Sequence, residues 1–467
     1  MAVFTPETSI LGLGTDFFDP VEAAAFPQTI LRFRNDRAAA QIGLDGLDDT
    51  QWAAHFGCFT ALPGSLTQPL ALRYHGHQFR TYNPDLGDGR GFLFAQCREV
   101  LGREVLGRDT AGRLLDLGTK GSGTTPWSRS GDGRLTLKGA VREILATEML
   151  EALGVATSRT FSVIETGEKL IRSDEPSPTR AAVLVRLNHS HVRYGSFQRL
   201  AFHQNQGGMA KLVDYCLTHL APGASGPTPA AALIDHAVQG AARMAAQFMA
   251  AGFVHGVLNT DNINITGESF DYGPWRFTPT WDAGFTAAYF DHSGLYAFGR
   301  QAEALQWNLY QLGSALRLIA EADELKGPLE TYPQRYRAAL SDAVLGRLGV
   351  KRLGANEDEA LVEAAQKALV ATQMDPDRFF FDWRGGVRRG PSLANHHYAH
   401  DAFSDFLRLI PDFAAGPPVH PYWADDAPCT MLIGEVEALW ASIAERDDWA
   451  PLHAKVAAIR RMGEAHR

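Results

Sequence analysis

The chain has 467 residues, of which 45% are hydrophobic and 21% are charged, as in ordinary folded proteins with two or three packed lobes. Its formal net charge of -9 repels phosphate, so we expect neither general nucleic-acid binding nor attachment to an anionic membrane. The cysteines Cys58, Cys97, Cys216 and Cys429 have no CxxC spacing. Their scattered positions argue against a zinc knuckle or a disulfide framework and favour a reducing, cytoplasmic location.

Residues 1–60 mix short helical patterns with proline and glycine, and we predict an N-terminal extension that packs on the following lobe. The first twenty residues lack a basic start followed by an apolar stretch, so we expect no secretory signal. No run of about eighteen apolar residues occurs, which predicts that no helix spans a membrane.

The next region, residues 61–197, predicts a β-rich lobe, because from about residue 91 the apolar residues alternate with a period of two. The predicted strands are 91–97, 112–120, 161–172 and 181–187, with turns at 109–112 and at Thr166-Gly167. One amphipathic helix at 137–153 interrupts the sheet, and Gly154 ends it.

After residue 197 the pattern is mostly helical. We predict helices at 231–251, 301–322 and 430–463, a β-like stretch at 253–275 and a rigid loop at 411–423. We divide this part into a helical lobe (198–330) and a helical C-terminal region (331–467). A β-rich lobe carrying one helix, followed by a helical lobe, is an α+β organisation typical of two-lobed protein kinases.

The strongest motif is HGVLNTDNINITGESFDYG, residues 255–273. In kinases a metal-binding Asn follows the loop His by seven residues, and the Asp of a DFG motif binds the metal from the other side. Here Asn262 follows His255 by seven residues, and Asp271 begins Asp-Tyr-Gly. A hairpin with its turn at Gly267 would bring Asp271 beside Asn262. This pair of oxygen ligands predicts a Mg²⁺ or Mn²⁺ site.

The usual kinase base is missing from this loop. It would stand two residues after His255, where Val257 has no proton-accepting group. Asp261 is the other carboxylate of the loop, and we predict that it accepts the proton. The alternative is that Asp261 and Asn262 only cap a turn, as Asp-Asn pairs often do.

Two glycine-rich stretches predict loops that cover phosphate. LGDGRG (86–91) precedes a strand, so that Gly87 and Gly89 would allow close backbone approach and Arg90 would add a fixed charge. KGSGTTPWSRSGDGR (120–134) repeats Gly-Asp-Gly-Arg at 131–134. Because Gly-Asp-Gly is also a common turn, neither stretch is specific by itself.

Cationic residues stand where a nucleotide would need them. Lys120 ends a strand, as the kinase ATP-binding lysine does, and Glu143 lies on the next helix, where its ion-pair partner would be. The alternative is two solvated surface charges. Arg186 and Arg193, seven residues apart, could clamp phosphate oxygens. The alternative is that they are ordinary surface arginines that pair with acids.

His75 and His77, in RYHGHQF, could bind a metal. They lack a complete ligand set, so the sequence favours a packing role for both.

The chain resembles the SelO/YdiU family of protein adenylyltransferases (selenoprotein O-like pseudokinases) over about residues 20–325. The resemblance is carried by YHGHQF (74–79), GDGRG (87–91), TKGSGTTPWSRSGDGR (119–134), REILATEML (142–150), VRLNHSHVRYGSF (185–197) and HGVLNTDN with DYGP (255–274). It implies a kinase-like fold in which ATP lies reversed. The α-phosphate then faces the acceptor, and AMP is transferred to Ser, Thr or Tyr hydroxyls of proteins.

The resemblance also implies roles for individual residues. Asp261 would accept the proton, and Asn262 and Asp271 would bind Mg²⁺ or Mn²⁺. The implied nucleotide-site residues are Gly87, Gly89, Arg90, Lys120, Asp132, Gly133, Glu143, Arg186, Arg193 and Asp271.

Two departures from the family pattern stand out. The family often carries a cysteine close to the C-terminus, sometimes paired with one in the activation-loop region. This chain has none in AIRRMGEAHR or in 280–296, so we do not expect that redox control. The portion beyond about residue 330 matches the family poorly.

Three functions stay open on the sequence alone: transfer of AMP from ATP (or UMP from UTP), phosphotransfer with a shifted base, and an inactive nucleotide-binding scaffold. The full set of metal ligands argues against the scaffold. The expected partners are ATP and acceptor proteins, with self-modification among the options.

Overall fold

The computed structural model describes residues 3–100, 112–173, 175–390 and 392–467. Its β-strands lie mainly before residue 190, and its longest helices follow. The strands are β1 Thr5–Glu7, β2 Phe18–Pro20, β3 Ile30–Arg34, β4 Leu70–Leu72, β5 Gly76–Gln78, β6 Thr81–Asn83, β7 Leu93–Arg98, β8 Leu114–Lys120, β9 Leu135–Thr136, β10 Arg159–Leu170, β11 Thr179–Asn188, β12 Phe253–Val254 and β13 Arg276–Phe277.

Nine of these strands form one antiparallel sheet. Its main path runs β2-β4-β7-β8-β11-β10-β3, with β1 paired to β7 and β9 to β11. The side chains of β11 alternate between two apolar cores: Leu184 packs in the core that contains helix 137–152, and Val183 and Val185 pack on the opposite face with Trp52. Because both faces are covered, the central strands read as nearly continuous apolar runs.

Residues 1–60 contribute strands as well as helices. β1 pairs with β7, and β3 pairs with β10, so this segment forms part of the sheet. These strands have three to five residues, too few for a period of two to stand out in the sequence. The helical patterns of this segment account only for α1 and α2.

The helices are α1 Asp36–Gln41, α2 Asp49–Phe56, α3 Leu137–Ala152, α4 Tyr194–Phe202, α5 Gln206–Tyr215, α6 Pro229–Ala251, α7 Gln301–Leu316, α8 Ala322–Glu330, α9 Tyr332–Leu348, α10 Ala355–Thr372, α11 Pro376–Asp382, α12 Asn395–Tyr398, α13 Ser404–Phe413, α14 Ile433–Arg446 and α15 Ala450–His466. The mixed α+β class is therefore confirmed, with a β-rich region followed by a helical one. Among the described residues, no helix is both long and apolar enough to cross a membrane.

The helix predicted at 137–153 is confirmed as α3. The Thr136 hydroxyl caps its start by accepting a hydrogen bond from the Gly139 amide at 3.1 Å. Gly154 follows its end with φ +78°, a conformation that glycine adopts at low cost. The predicted helix at 231–251 is α6, and Gly252 ends it in the same way with φ +67°.

Several predicted boundaries were wrong. The turn predicted at Thr166-Gly167 is a bulge inside the continuous strand β10, where the register with β11 shifts between Glu165 and Lys169. The helix predicted at 301–322 ends at Leu316, before the separate helix α8. The prediction at 430–463 covers two helices, interrupted at Asp447 with φ +51°. The turn predicted at 109–112 lies mostly outside the described residues.

The hairpin predicted around Gly267 was also wrong. Gly267 does form a turn, since its amide donates to the carbonyl of Asn264 at 3.1 Å. The two limbs do not pair with each other, because Asn264 forms an isolated bridge with Arg193 and Ser269 forms one with Thr157. Both limbs therefore bind other segments of the chain, and these contacts hold the loop in place.

Candidate active site

A cleft of about 630 Å³ lies between the glycine-rich loops, the end of β8 and the loop after α6. The predicted site residues that line it are Gly87, Gly89, Arg90, Lys120, Asp132, Gly133, Arg186, Arg193, Asp261 and Asp271. Glu143 lies behind this wall, and Asn262 adjoins it. A larger cavity of about 740 Å³, lined by parts of α3, α9 and α15, contains none of these residues.

Lys120 forms the centre of an ion-pair cluster at the end of β8. Its Nζ lies 2.7 Å from Glu143 Oε2 and 2.8 Å from Asp271 Oδ1. Lys120 is 4% exposed and Glu143 is 1% exposed, so they are not solvated surface charges. Helix α3 positions Glu143, and strand β8 positions Lys120, as the sequence predicted.

Arg186 extends this cluster from strand β11. Its Nη1 lies 3.5 Å from Asp271 Oδ1 and 3.7 Å from Glu143 Oε1. Its Nε lies 3.3 Å from His191 Nε2, and His191 Nδ1 lies 3.2 Å from Asp116 Oδ2. The guanidinium is therefore held on two sides in a buried position, unlike a surface arginine.

Arg193 contacts a different pair of aspartates at the cleft. Its Nη2 lies 3.1 Å from Asp88 Oδ1, and its Nη1 donates to the backbone oxygen of Asp261 at 3.0 Å. The guanidinium lies over the ring of Tyr74 at 4.3 Å and over that of Phe270 at 4.9 Å. Aromatic faces attract such cations, so these rings fix the position of Arg193 without neutralising its charge.

Asp271 has an unusual backbone and a strongly perturbed carboxylate. Its φ of +62° is uncommon for a residue with a side chain. Burial raises its pKa, but the cations Lys120, Arg186 and Arg193 outweigh burial and hold the pKa well below its ordinary value. Asp271 is therefore ionised at neutral pH, the form in which a carboxylate binds a hard cation.

Asp261 lines the same cleft from a short turn after α6 and is 7% exposed. Burial raises its pKa to about 6, against the opposing effect of Arg193. Its Oδ1 is buried and has no hydrogen-bond partner among the described residues. A carboxylate with a pKa near neutrality and a free oxygen can accept a proton from a bound hydroxyl.

Asn262 does not line the cleft directly. Its Nδ2 donates to the carbonyl of Val257 at 3.1 Å, and its backbone amide donates to the carbonyl of Asn259 at 2.9 Å. Because the hydrogen bond engages the side-chain nitrogen, the side-chain oxygen is the atom that can bind a cation. The role of Asn262 as a metal ligand stays a prediction.

The glycine-rich loops need their glycines for packing. A Cβ atom on Gly87 would lie 2.4 Å from the Trp127 ring, and one on Gly133 would lie 2.3 Å from the Gly123 backbone. Gly133 also has φ +68°. The two loops thus contact each other closely and form one edge of the cleft. Their glycines are needed for this packing, whether or not the loop backbone also approaches phosphate.

Sequence reasoning missed several residues of the cleft. Asp88 stands between the two glycines of the first loop, and its carboxylate pairs with Arg193 and accepts from the Leu72 amide at 3.0 Å. Arg172 pairs with Asp132 at 2.8 Å, a contact between residues forty positions apart that no local pattern indicates. Other residues that line the cleft are Tyr74, Gln78 and Trp127.

The two histidines considered for a metal are buried or half-buried and hydrogen-bonded to protein. His75 Nδ1 lies 2.8 Å from the hydroxyl of Tyr82, and His77 Nδ1 lies 2.7 Å from Gln198 Nε2. These contacts support the packing role that the sequence favoured.

A buried lysine–glutamate pair, two arginines and two carboxylates around one cleft are groups that enzymes of the phosphoryl- and nucleotidyl-transfer class use. The family model described as protein adenylyltransferase SelO matches residues 2–395. The chain therefore belongs to the SelO family.

Relatives of this chain share nearly its whole length. It is 42% identical to the protein nucleotidyltransferase YdiU of Synechocystis sp. over 477 aligned positions, which cover 96% of each chain. The YdiU protein of Gloeobacter violaceus is 42% identical, over 97% of this chain and 95% of its own. The YdiU protein of Trichormus variabilis is 40% identical, over 98% of this chain and 96% of its own. The family model extends past residue 330 to residue 395, and these alignments cover nearly the whole chain, so the match reaches further along the chain than we predicted.

Proposed function

We propose that the chain transfers AMP from ATP to Ser, Thr or Tyr hydroxyls of proteins, in a kinase-like two-lobed arrangement of its β-rich and helical regions. The observation that carries the proposal is the pairing of Lys120 with both Glu143 and Asp271 in a cleft that also contains Asp261. Membership in the SelO family supports the choice of AMP as the transferred group.

The charge of the cleft suits a nucleoside triphosphate. Its lining has more cations than carboxylates, although the whole chain has a net charge of -9. The cations are Arg90, Lys120, Arg129, Arg134, Arg172, Arg186 and Arg193, and the carboxylates are Asp88, Asp132, Asp261 and Asp271. A local cationic excess inside an acidic protein attracts polyphosphate to this one place.

In the proposed reaction the acceptor hydroxyl attacks the α-phosphorus of ATP. A new oxygen–phosphorus bond forms, the bond from the α-phosphorus to the bridging oxygen breaks, and pyrophosphate leaves. The hydroxyl proton passes to Asp261, and Lys120, Arg186 and Arg193 hold the phosphates. The rate gain then comes mainly from positioning and from fixed charges that stabilise the transition state.

We propose that a divalent cation binds beside the same cleft. Among the residues that the structure describes, no three His, Cys, Asp or Glu side chains gather to bind a metal by themselves. Asn262 and the ionised Asp271 would hold Mg²⁺ or Mn²⁺ together with phosphate oxygens, which is how Mg²⁺ is usually bound at nucleotide sites. The ion would neutralise charge on the triphosphate.

The reaction class is tested with ATP labelled at the α or the γ position, followed by intact-mass measurement of this protein and of added acceptor proteins. We expect α-label and an AMP-sized mass increment on protein. Transfer of γ-label only would make the enzyme a phosphotransferase, and binding of ATP without turnover would make it a scaffold. A parallel reaction with UTP and Mn²⁺ tests UMP transfer.

Asp261→Ala tests the role of the proposed base. We expect it to slow transfer about a hundredfold or more while ATP still binds, because positioned bases contribute on that scale. Asp412→Ala, at an exposed position on α13, is the matched control and should behave as wild type. An active Asp261→Ala variant would exclude this residue as the base.

A further inference from the structure

The hairpin formed by β5 and β6 has no direct role in the proposed transfer, yet it contacts the segment that carries Asp261. The amide of His77 donates to the Thr260 hydroxyl at 2.7 Å, and the amide of Phe79 donates to Asn259 Oδ1 at 3.1 Å. These bonds join residues about 180 positions apart in the chain. They fasten one edge of the hairpin to the two residues that precede Asp261.

A second set of bonds fixes the same contact from helix α4. The Thr260 hydroxyl donates to Gln198 Oε1 at 2.6 Å, and Gln198 Nε2 lies 2.7 Å from His77 Nδ1. Thr260 is fully buried, so water does not compete for these bonds. The hairpin, helix α4 and the 259–261 turn therefore form one hydrogen-bonded unit.

Gly76, at the start of β5, packs directly against the Asp261 side chain. A Cβ atom on Gly76 would lie 2.8 Å from Asp261 Oδ1 and 3.0 Å from Asp261 Cβ. Contacts under 3.0 Å to a Cβ are too close to persist, so one of the two groups would have to move. The hairpin is fastened by its hydrogen bonds, whereas the carboxylate can rotate. The added methyl group would therefore displace the carboxylate.

We propose that Gly76 is a positioning residue for the reaction: the absence of a side chain there lets the backbone of β5 hold the Asp261 carboxylate in its reactive orientation. This inference rests on the proposed function, in which Asp261 accepts the hydroxyl proton. It predicts that the glycine acts on turnover and leaves ATP binding alone, because the phosphate-binding cations lie on other elements of the cleft.

Gly76→Ala is the direct test. We expect kcat for AMP transfer to fall about a hundredfold, as small misplacements of reacting groups can do, with KM for ATP within about twofold of wild type. Gly207→Ala is the matched control, since Gly207 lies on α5, where an added Cβ would have no atom within 4 Å. An unchanged kcat in Gly76→Ala, or an equal loss of ATP binding, would overturn the proposal.

Thr260→Val and Thr260→Ser provide a test that does not depend on the folding of Gly76→Ala. Valine keeps the shape but removes the bonds to His77 and Gln198, so kcat should fall with KM for ATP retained. Serine keeps the hydroxyl and should restore most of the lost rate. Failure of serine to rescue would overturn the proposal.

Asp261→Ala, measured in the same assay, separates the two proposals. If it is inactive while Gly76→Ala and Thr260→Val turn over normally, the positioning role fails and the proposed base stands. If Asp261→Ala itself retains activity, the assignment of the base fails, and the positioning proposal fails with it.

Discussion

At the scale of single residues, burial decides which ion pairs contribute to stability and to the site. Lys120 and Glu143 pair at 2.7 Å with almost no exposure, and Lys138 and Glu437 pair at the same distance nearer the surface. Helix α3 contributes one residue to each pair, Glu143 to the buried one and Lys138 to the exposed one. In water the attraction is offset by solvation and salt, whereas in the buried pair each ion depends on its partner.

Glu143→Gln tests the buried pair. Lys120 would then pair with Asp271 alone and shift toward it. We expect kcat/KM for ATP to fall about ten- to a hundredfold, because the lysine no longer points at the phosphates. We also expect a loss of about 1–3 kcal/mol in the free energy of unfolding, from a buried cation left with one partner. Steady-state kinetics and denaturant melts measure the two effects.

Glu437→Gln is the control for this prediction. It removes the exposed partner of Lys138, so stability should change by less than about 1 kcal/mol and kinetics should be unchanged. If both variants behaved alike, the buried pair would have no special role.

At the scale of elements, the C-terminal helix α15 packs on α3, the helix that carries Glu143. Arg460 Nη2 and Nε lie 2.6 Å and 2.8 Å from the two carboxylate oxygens of Glu148, which is 3% exposed. Gly463 of α15 allows close approach, since a Cβ there would be 3.1 Å from Ala152. A contact between residues more than 300 positions apart in the chain thus supports α3, the helix that carries Glu143.

Arg460→Ala should destabilise the protein by on the order of 2–3 kcal/mol, because it leaves the buried Glu148 carboxylate without its bidentate partner. Thermal or denaturant melts measure this loss. Arg461→Ala is a neighbouring control: Arg461 pairs with Asp425 on the surface, and its removal should leave the melting temperature nearly unchanged. Equal losses in the two variants would contradict the proposed support of α3 by α15.

At the scale of the whole molecule, several buried or half-buried histidines are uncharged in the folded protein. Burial lowers the pKa of His75 and of His189 to about 4, and it lowers the pKa of His466 to about 3. In the unfolded chain these residues have their ordinary pKa of 6.5. Between these values the unfolded state binds more protons than the folded state, so stability rises with pH.

We therefore expect the melting temperature to be highest above about pH 6.5 and to fall steadily as the pH is lowered toward 4. His189→Asn should reduce this dependence by removing one titrating group. His453→Asn, at an exposed position on α15, should leave it unchanged. Melts at constant ionic strength measure the effect, and a stability that rises on acidification would contradict it.

Much of the site followed from local pattern. The spacing of His255, Asn262 and Asp271 and the placement of Lys120 before the helix of Glu143 are sequence features, and the structure places Lys120 Nζ within 2.8 Å of both Glu143 and Asp271. Such motifs can be recognised in the sequence because each functional residue must stand at a fixed position on a strand, helix or loop. The pairing of the segments on either side of Gly267 could not be predicted in this way, since they pair with distant parts of the chain.

The sequence by itself determined the α+β class, the central strands, helices α3 and α6, and the family, because period, capping glycines and motif spacing are local properties. Only the tertiary structure decided that Asp88 pairs with Arg193, that Gly76 packs against Asp261 and that Arg460 supports α3. These contacts join residues separated by about 100 to more than 300 positions. These contacts form only when the chain folds, because they depend on burial and steric fit between distant segments. A short stretch of sequence carries no information about either.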